Sequence, residues 1–278
     1  MTDPLAPLLA LPGVAEAVAE ARAAVDGLLS HRVLRRRSAE VTAESALRGA
    51  RASAQLEGAG IELERLRGQL LAGTPVDRAD HDERAATIVT AAVRLHADLG
   101  SVVASWRHSP KQALARLHVI AASELVSDPD LLGRPRTDAT ASYDDPLRLG
   151  PPPAPLEVAA RLDGLARVVL STTAPAVVVA AVVHGELLAL RAFGSLDGLV
   201  ARAAARLVLI ERGLDPKAVS APEVGHVELH HAYQDAAVGY VEGGPDGVAA
   251  WVGHCAQAVA LGAREGVAVC EAIQRGTV

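Results

Sequence analysis

The stretch AVVVAAVVHGELLALRAFGSLDGLVARAAARLVLIERG, residues 176–213, decides how the chain is read. Ala176–Leu190 and Gly198–Ile210 are two runs apolar nearly all round, and helices of that kind are buried ones. The loop Arg191–Asp197 between them is therefore held at the centre of the molecule, and Gly213 closes the second helix. The loop carries the only Phe of the chain, Phe193. It opens directly onto a helix start, where free backbone N–H groups suit an anion. Chemistry is expected there.

The segment HGELLALRAFGSLDGLVAR, His184–Arg202, resembles the central motif of the Fic (Fido) family, His-x6-His-Pro-Phe-x-(Asp or Glu)-Gly-Asn-Gly-Arg-x2-Arg, without a gap. His184 falls on the upstream His, Phe193 on the Phe, Gly198 on the second Gly and Arg202 on the last Arg. The other positions depart from the pattern. Arg191 stands where the family has its catalytic His, Ala192 replaces the Pro and Ser195 the metal-binding acid. Leu196 replaces the first Gly, Asp197 the Asn and Leu199 the first Arg. Upstream, Ser53-Ala-Gln-Leu-Glu57-Gly58 matches the (Ser or Thr)-x3-Glu-(Gly or Asn) inhibitory motif of many Fic proteins. In that family the Glu pairs with the last Arg, which here is Arg202.

Bulk properties narrow the function. The chain has 278 residues, 50% of them hydrophobic, enough for a large core in one or two domains. A net charge of −6 argues against a broad nucleic-acid surface, and the basic cluster Arg32, Arg35, Arg36, Arg37 reads as a solvated helix face. The two cysteines, Cys255 and Cys270, have no zinc-type spacing and are read as reduced thiols. Met-Thr-Asp-Pro lacks the features of a secretory signal. The most apolar window, Val168–Val183, is interrupted by Ser171, Thr172, Thr173 and Pro175, so no membrane span is expected and the location reads as cytoplasmic.

Along the chain, Val14, Val18, Val25 and Leu29 predict a first helix, followed by a second over Ser38–Leu56 that stops at Gly58. Further helices are predicted over Ile61–Leu71, Ala79–Val103, from Pro110 behind Ser109, and over Val227–Val241 with Tyr233. SPKQALARLHVIAA resembles the helix that opens the Fic core, and Gly133-Arg-Pro-Arg136 and Pro151–Pro153 fall where the family has a turn and a Pro-rich connection. The closing segment with Tyr233 and Trp251 resembles the last helices of that core. Ser127–Pro155, rich in Pro and Asp, is predicted to be a long loop; by resemblance it is the region of the target-aligning flap.

The expected fold is all-α: residues 1–75 form an N-terminal helical region with the inhibitory-type residues Ser53, Glu57 and Gly58, and residues 76–278 a Fic-like core. The resemblance implies AMP transfer from ATP with a His as general base. Arg191 cannot serve, because a guanidinium stays protonated; a salt bridge to Asp197, Glu186 or Glu57 is its expected use. Ser195 is a poor ligand for Mg²⁺, and Asp197 is expected to cap the following helix with a fixed negative charge. Glu57 and Arg202 are expected to form a salt bridge over the loop. The reading is a degenerate Fic-fold pseudoenzyme, an interaction or regulatory module with a protein partner or a second copy, and neither metal nor cofactor. Its alternative is a divergent transferase or nucleotide binder that takes ATP with Mg²⁺ through Arg191, Ser195, Asp197, Gly198 and Arg202. His184 reads as a core histidine, and His226, His230, His231 and His254-Cys255 as a weak metal set.

Overall fold

Val14, Val18, Ala21, Val25 and Leu28 bury one stripe of the first helix, α1 (Val14–Leu29), at the spacing of a 3.6-residue repeat. The computed structural model describes residues 3–76, 83–137 and 145–277, and every regular element among them is helical. Helix α2 (Ser38–Leu56) follows and ends where Gly58 adopts a left-handed backbone, φ 82°. The N–H of Ala59 bonds back to the carbonyl of Ala54 at 2.9 Å, a turn that only a residue without Cβ makes freely. This stop fixes Glu57 at the very end of α2. Next come α3 (Leu63–Ala72), α4 (Glu83–His108) and α5 (Pro110–Ala122). The predicted start of α4 at Ala79 lies outside the described residues.

Beyond the Pro-rich connection, α6 (Pro155–Ser171), α7 (Ala176–Leu190) and α8 (Asp197–Glu211) follow, then α9 (Pro222–Glu228), α10 (His230–Glu242) and α11 (Gly244–Arg275). Helix α7 is buried on every face, as its composition requires, and pairs with α8. Around this hairpin α4, α5 and α11 pack directly, while α1 lies along α11 and α2 bridges α4 and α9. One hydrophobic core runs from Leu5 to Ile273. By length and composition α4 could cross a membrane, but its apolar face is packed against α2, α5 and α8.

Two element boundaries differ from the sequence reading. The helix expected over Val227–Val241 breaks at Leu229 into α9 and α10. The break lets α9 follow α2 and α11 while α10 turns onto α11 and α7. The apolar window Val168–Val183 is two helices joined by extended residues, and α6 was not anticipated as a separate element.

Candidate functional site

The loop between α7 and α8 doubles back through three left-handed residues, Arg191 (φ 40°), Gly194 (φ 75°) and Leu196 (φ 52°). For Arg191 and Leu196, each with a Cβ, this backbone costs about 1 kcal/mol or more. Leu196 stands where the Fic motif has Gly, and its side chain is fully buried, which offsets the strain by about 1.5–3 kcal/mol.

Arg136 holds the loop from one side. Its N–H bonds the Ala192 carbonyl at 2.7 Å, its Nε donates to the Arg191 carbonyl at 3.2 Å, and its Nη2 donates to the Pro153 carbonyl. From the other side His118, on α5, stacks flat on Phe193 with ring centres 4.4 Å apart. The Gly133 N–H donates to His118 Nδ1 at 3.0 Å, so Nε2 carries the proton and faces Ser195 Oγ at 3.2 Å. Burial lowers the pKa of His118 to about 4, so the ring is neutral.

Arg191 is buried and pairs with Asp145, Nη1 to Oδ2 3.2 Å, rather than with Asp197, Glu186 or Glu57 as expected. The physical reason is the turn that Asp145 makes. Its carboxylate accepts the N–H groups of Leu149 (2.8 Å) and Gly150 (3.0 Å), which folds the far end of the Pro-rich loop against the α7–α8 turn. Leu147 is thereby buried over the site. Residues 138–144 of the predicted flap region lie outside the described residues.

Asp197 also departs from expectation. It is the first residue of α8, not its cap; Leu196 holds the cap position without a side-chain bond. Because Cβ atoms lean toward a helix N-terminus, the carboxylate reaches back into the loop. There Oδ1 accepts the Phe193 N–H at 2.9 Å, with the Gly194 N–H beside it. Burial drives its pKa up to about 7, and Glu57 adds to this, while the loop N–H groups and Arg191 oppose it. Its charge is thus not fixed near neutrality.

Glu57, Ser53 and Arg202 meet. Arg202 Nη2 lies 2.6 Å from Glu57 Oε1 and 3.0 Å from the Ser53 carbonyl, and Nε donates to Ser53 Oγ at 2.8 Å. Both charged side chains are at most 3% exposed, so this is a buried ion pair. Gly198 makes it fit: a Cβ there would collide with the Glu57 carboxylate. Arg202 Nη1 also donates to the Tyr233 hydroxyl at 3.4 Å, and that hydroxyl in turn donates to His184 Nε2 at 2.9 Å. Burial pushes the Tyr233 hydroxyl up to about 12 and His184 far below its usual range. His184 is therefore a neutral core acceptor that props the arginine.

The space left among Glu57, Leu147, Arg191, Gly198 and Arg202 is about 20 Å³, enough for one water. A small-molecule site commonly needs about 300–1,000 Å³. Nor does the donor set suit the Mg²⁺ of a Fic active site. Ser195 is engaged by His118, and the Asp197 carboxylate is turned into the loop amides. The other histidines do not converge on one point. His226 Nδ1 bonds His254 Nε2 at 2.9 Å and His230 faces His231; no group of three His, Cys, Asp or Glu among the described residues is arranged to hold a metal.

Three participants escaped the sequence reading. Asp145 lay within a predicted loop, and His118 and Tyr233 were placed on helices without a role. A second buried network, His96–Glu223–Arg206, was also missed. Glu223 Oε1 sits 3.2 Å from His96 Nε2 and Oε2 3.2 Å from Arg206 Nη1. Burial would raise the Glu223 carboxyl, but Arg206 and His96 lower it to about 2.

No family model matches the chain by sequence, and no curated protein does. Solved structures do match. A Fic family protein from Desulfovibrio desulfuricans superposes with a TM-score of 0.72 at 18% identity, over 92% of this chain and 74% of that one. Fic-1 from C. elegans gives 0.66 at 16% identity, over 94% and 73%. A Fic domain containing signaling protein from Bacteroides thetaiotaomicron gives 0.63 at 12% identity, over 92% and 98%. The all-α fold of this chain is the Fic fold.

Proposed function

We propose that this protein is a Fic-fold pseudoenzyme: an interaction or regulatory module that transfers no AMP. The observation that carries the reading is what occupies the α7–α8 loop. Its N–H groups at Phe193 and Gly194, which would face an incoming anion, are taken by the carboxylate of Asp197. The base position is held by Arg191, a permanent cation tied to Asp145. Glu57 neutralises Arg202, the one motif arginine that remains, and Leu199 supplies no second. With base, metal acid and free phosphate arginine all gone, what the fold still offers is its shape.

The alternative, a divergent nucleotide or phosphate binder, draws support from one feature. Arg202 sits at the N-terminal end of α8 beside Gly198, so displacing Glu57 would present a cation and a helix N-terminus to a phosphate. Labelled ATP added to the protein and a cell lysate separates the two readings. The pseudoenzyme leaves no label on itself or on any partner. Arg191→His leaves none either, because Ser195, Leu196 and Leu199 still lack the metal and phosphate contacts. Labelling that disappears on Arg202→Ala would favour the alternative.

A further inference from the structure

The outer face of α2 forms one wall of an open groove of about 570 Å³ that includes no residue of the α7–α8 loop. Ala39, Ala43 and Leu47 come from α2, Leu70 from the end of α3, and Val93 and Ala97 from α4. Ala39, Ala43 and Ala97 are exposed, and Leu47 and Val93 are half-buried, so the groove presents apolar surface to solvent. Leu70 is 42% exposed and Leu71, next to it in the chain, 84%. Contiguous apolar surface of this kind marks a contact face.

Charge is concentrated at one end. Lys217 is the one Lys or Arg in the lining, and no acid lines the groove. Thr42 Oγ donates to the Lys217 carbonyl at 2.7 Å, and Lys217 Nζ donates to the Leu34 carbonyl at 3.3 Å, which sets the ammonium near the start of α2. Arg35 and Arg36 directly precede that start, are exposed, and form no ion pair among the described residues. Arg37, Arg48 and Arg67, by contrast, are matched by Glu40 at 2.5 Å, Glu44 at 2.6 Å and Glu44 at 2.5 Å. In a chain of net charge −6, three unmatched cations at one end of an apolar groove complement an acidic partner.

The groove is walled by helices, whose backbone groups bond within each helix, so an extended peptide finds no strand edge to pair with. A helix brings its own backbone bonds and needs only side-chain contact. From Ser38 to Ala50 the α2 wall runs about 18 Å at 1.5 Å per residue, room for three turns. We infer that this groove docks an amphipathic helix of a protein partner. The apolar face of that helix lies on Ala43, Leu47 and Leu70, and acidic residues at one of its ends meet Lys217, Arg35 and Arg36. The inference rests on the reading of the fold as an interaction module and names the kind of partner.

Labelled peptides of about 15 residues test it by fluorescence anisotropy at low salt. Two carry leucines at i, i+3, i+4 and i+7 with glutamates in the first or in the last turn, and a third has lysines in place of the glutamates. One glutamate peptide binds with a Kd of about 100 µM or tighter, and about tenfold more tightly than the lysine peptide. Ala43→Glu, at an exposed position of α2, weakens that binding about tenfold. Lys217→Glu weakens it and strengthens binding of the lysine peptide; Arg36→Glu carries the same charge test if that variant fails to fold. Absence of binding by both glutamate peptides, equal binding of the lysine peptide, or undiminished binding to Ala43→Glu overturns the proposal. So does a parent that sediments as a dimer and becomes monomeric on Ala43→Glu, because a second copy is then the occupant. Failure to bind without AMP labelling rejects the groove alone, whereas AMP labelling rejects the reading beneath it.

Discussion

Asp197 is the residue on which the chemistry of the loop turns. The folded protein holds its proton up to about pH 7, whereas the unfolded chain releases it near 3.8, so stability from this group is greatest in acid and declines as the pH rises through that window. Asp197→Asn cannot ionise and still offers an oxygen to the Phe193 N–H. The melting temperature of the variant relative to the parent therefore climbs between pH 5 and pH 8. A constant difference across that range would mean that the carboxyl is not held in this way. The sequence marks Asp197 as unusual because it replaces an Asn of the motif, but the direction of its side chain depends on a left-handed Leu196. Nothing in a leucine announces that backbone; only its surroundings do.

Among the elements, α2 and α8 are joined by one buried ion pair. Removing either Glu57 or Arg202 strands the other charge out of water, at a cost of about 3–5 kcal/mol, whereas removing both strands neither. Glu57→Ala and Arg202→Ala should each destabilise the protein, and the double variant should lose less than their sum, a coupling of about 0.5–3 kcal/mol. Denaturant unfolding of the four proteins measures it, and additive losses would contradict the lock. This contact was legible in the sequence because it needs only two signals, a Ser53-x3-Glu57-Gly58 helix end and an arginine one turn beyond Gly198. The pairing of Arg191 with Asp145 was not. It depends on how residues 145–150 turn, and a stretch of Pro, Asp and Arg without periodicity says little about where its carboxylate will point.

At the scale of the whole molecule, helical spacing along the chain together with the Fic resemblance predicted the all-α fold, and the apolar runs 176–190 and 198–210 predicted the buried helix pair at its centre. The break at Leu229 was hidden, because residues 227–241 keep a helical composition on both sides of it. The core also encloses four neutral histidines. Burial lowers His118 and His254 to about 4, and His184 and His226 lie well below their usual value. The unfolded chain takes up protons near pH 6.5 that these rings refuse, so their contribution is complete above that pH and is lost as the pH falls toward 4. They act against Asp197, and they outnumber it. The melting temperature should fall between pH 6.5 and pH 4.5, more steeply in Asp197→Asn than in the parent; a flat or rising profile would contradict the burial of these rings as neutral groups.

The central claim, that the Fic-type pocket is closed by the protein's own side chains, is tested most directly by calorimetric titration of ATP with and without Mg²⁺. No saturable heat is predicted up to about 1 mM nucleotide, either for the parent or for Glu57→Ala, in which Asp197, Leu147 and Arg191 still fill the site. Saturable binding of ATP to the parent, abolished by Arg202→Ala, would contradict the account.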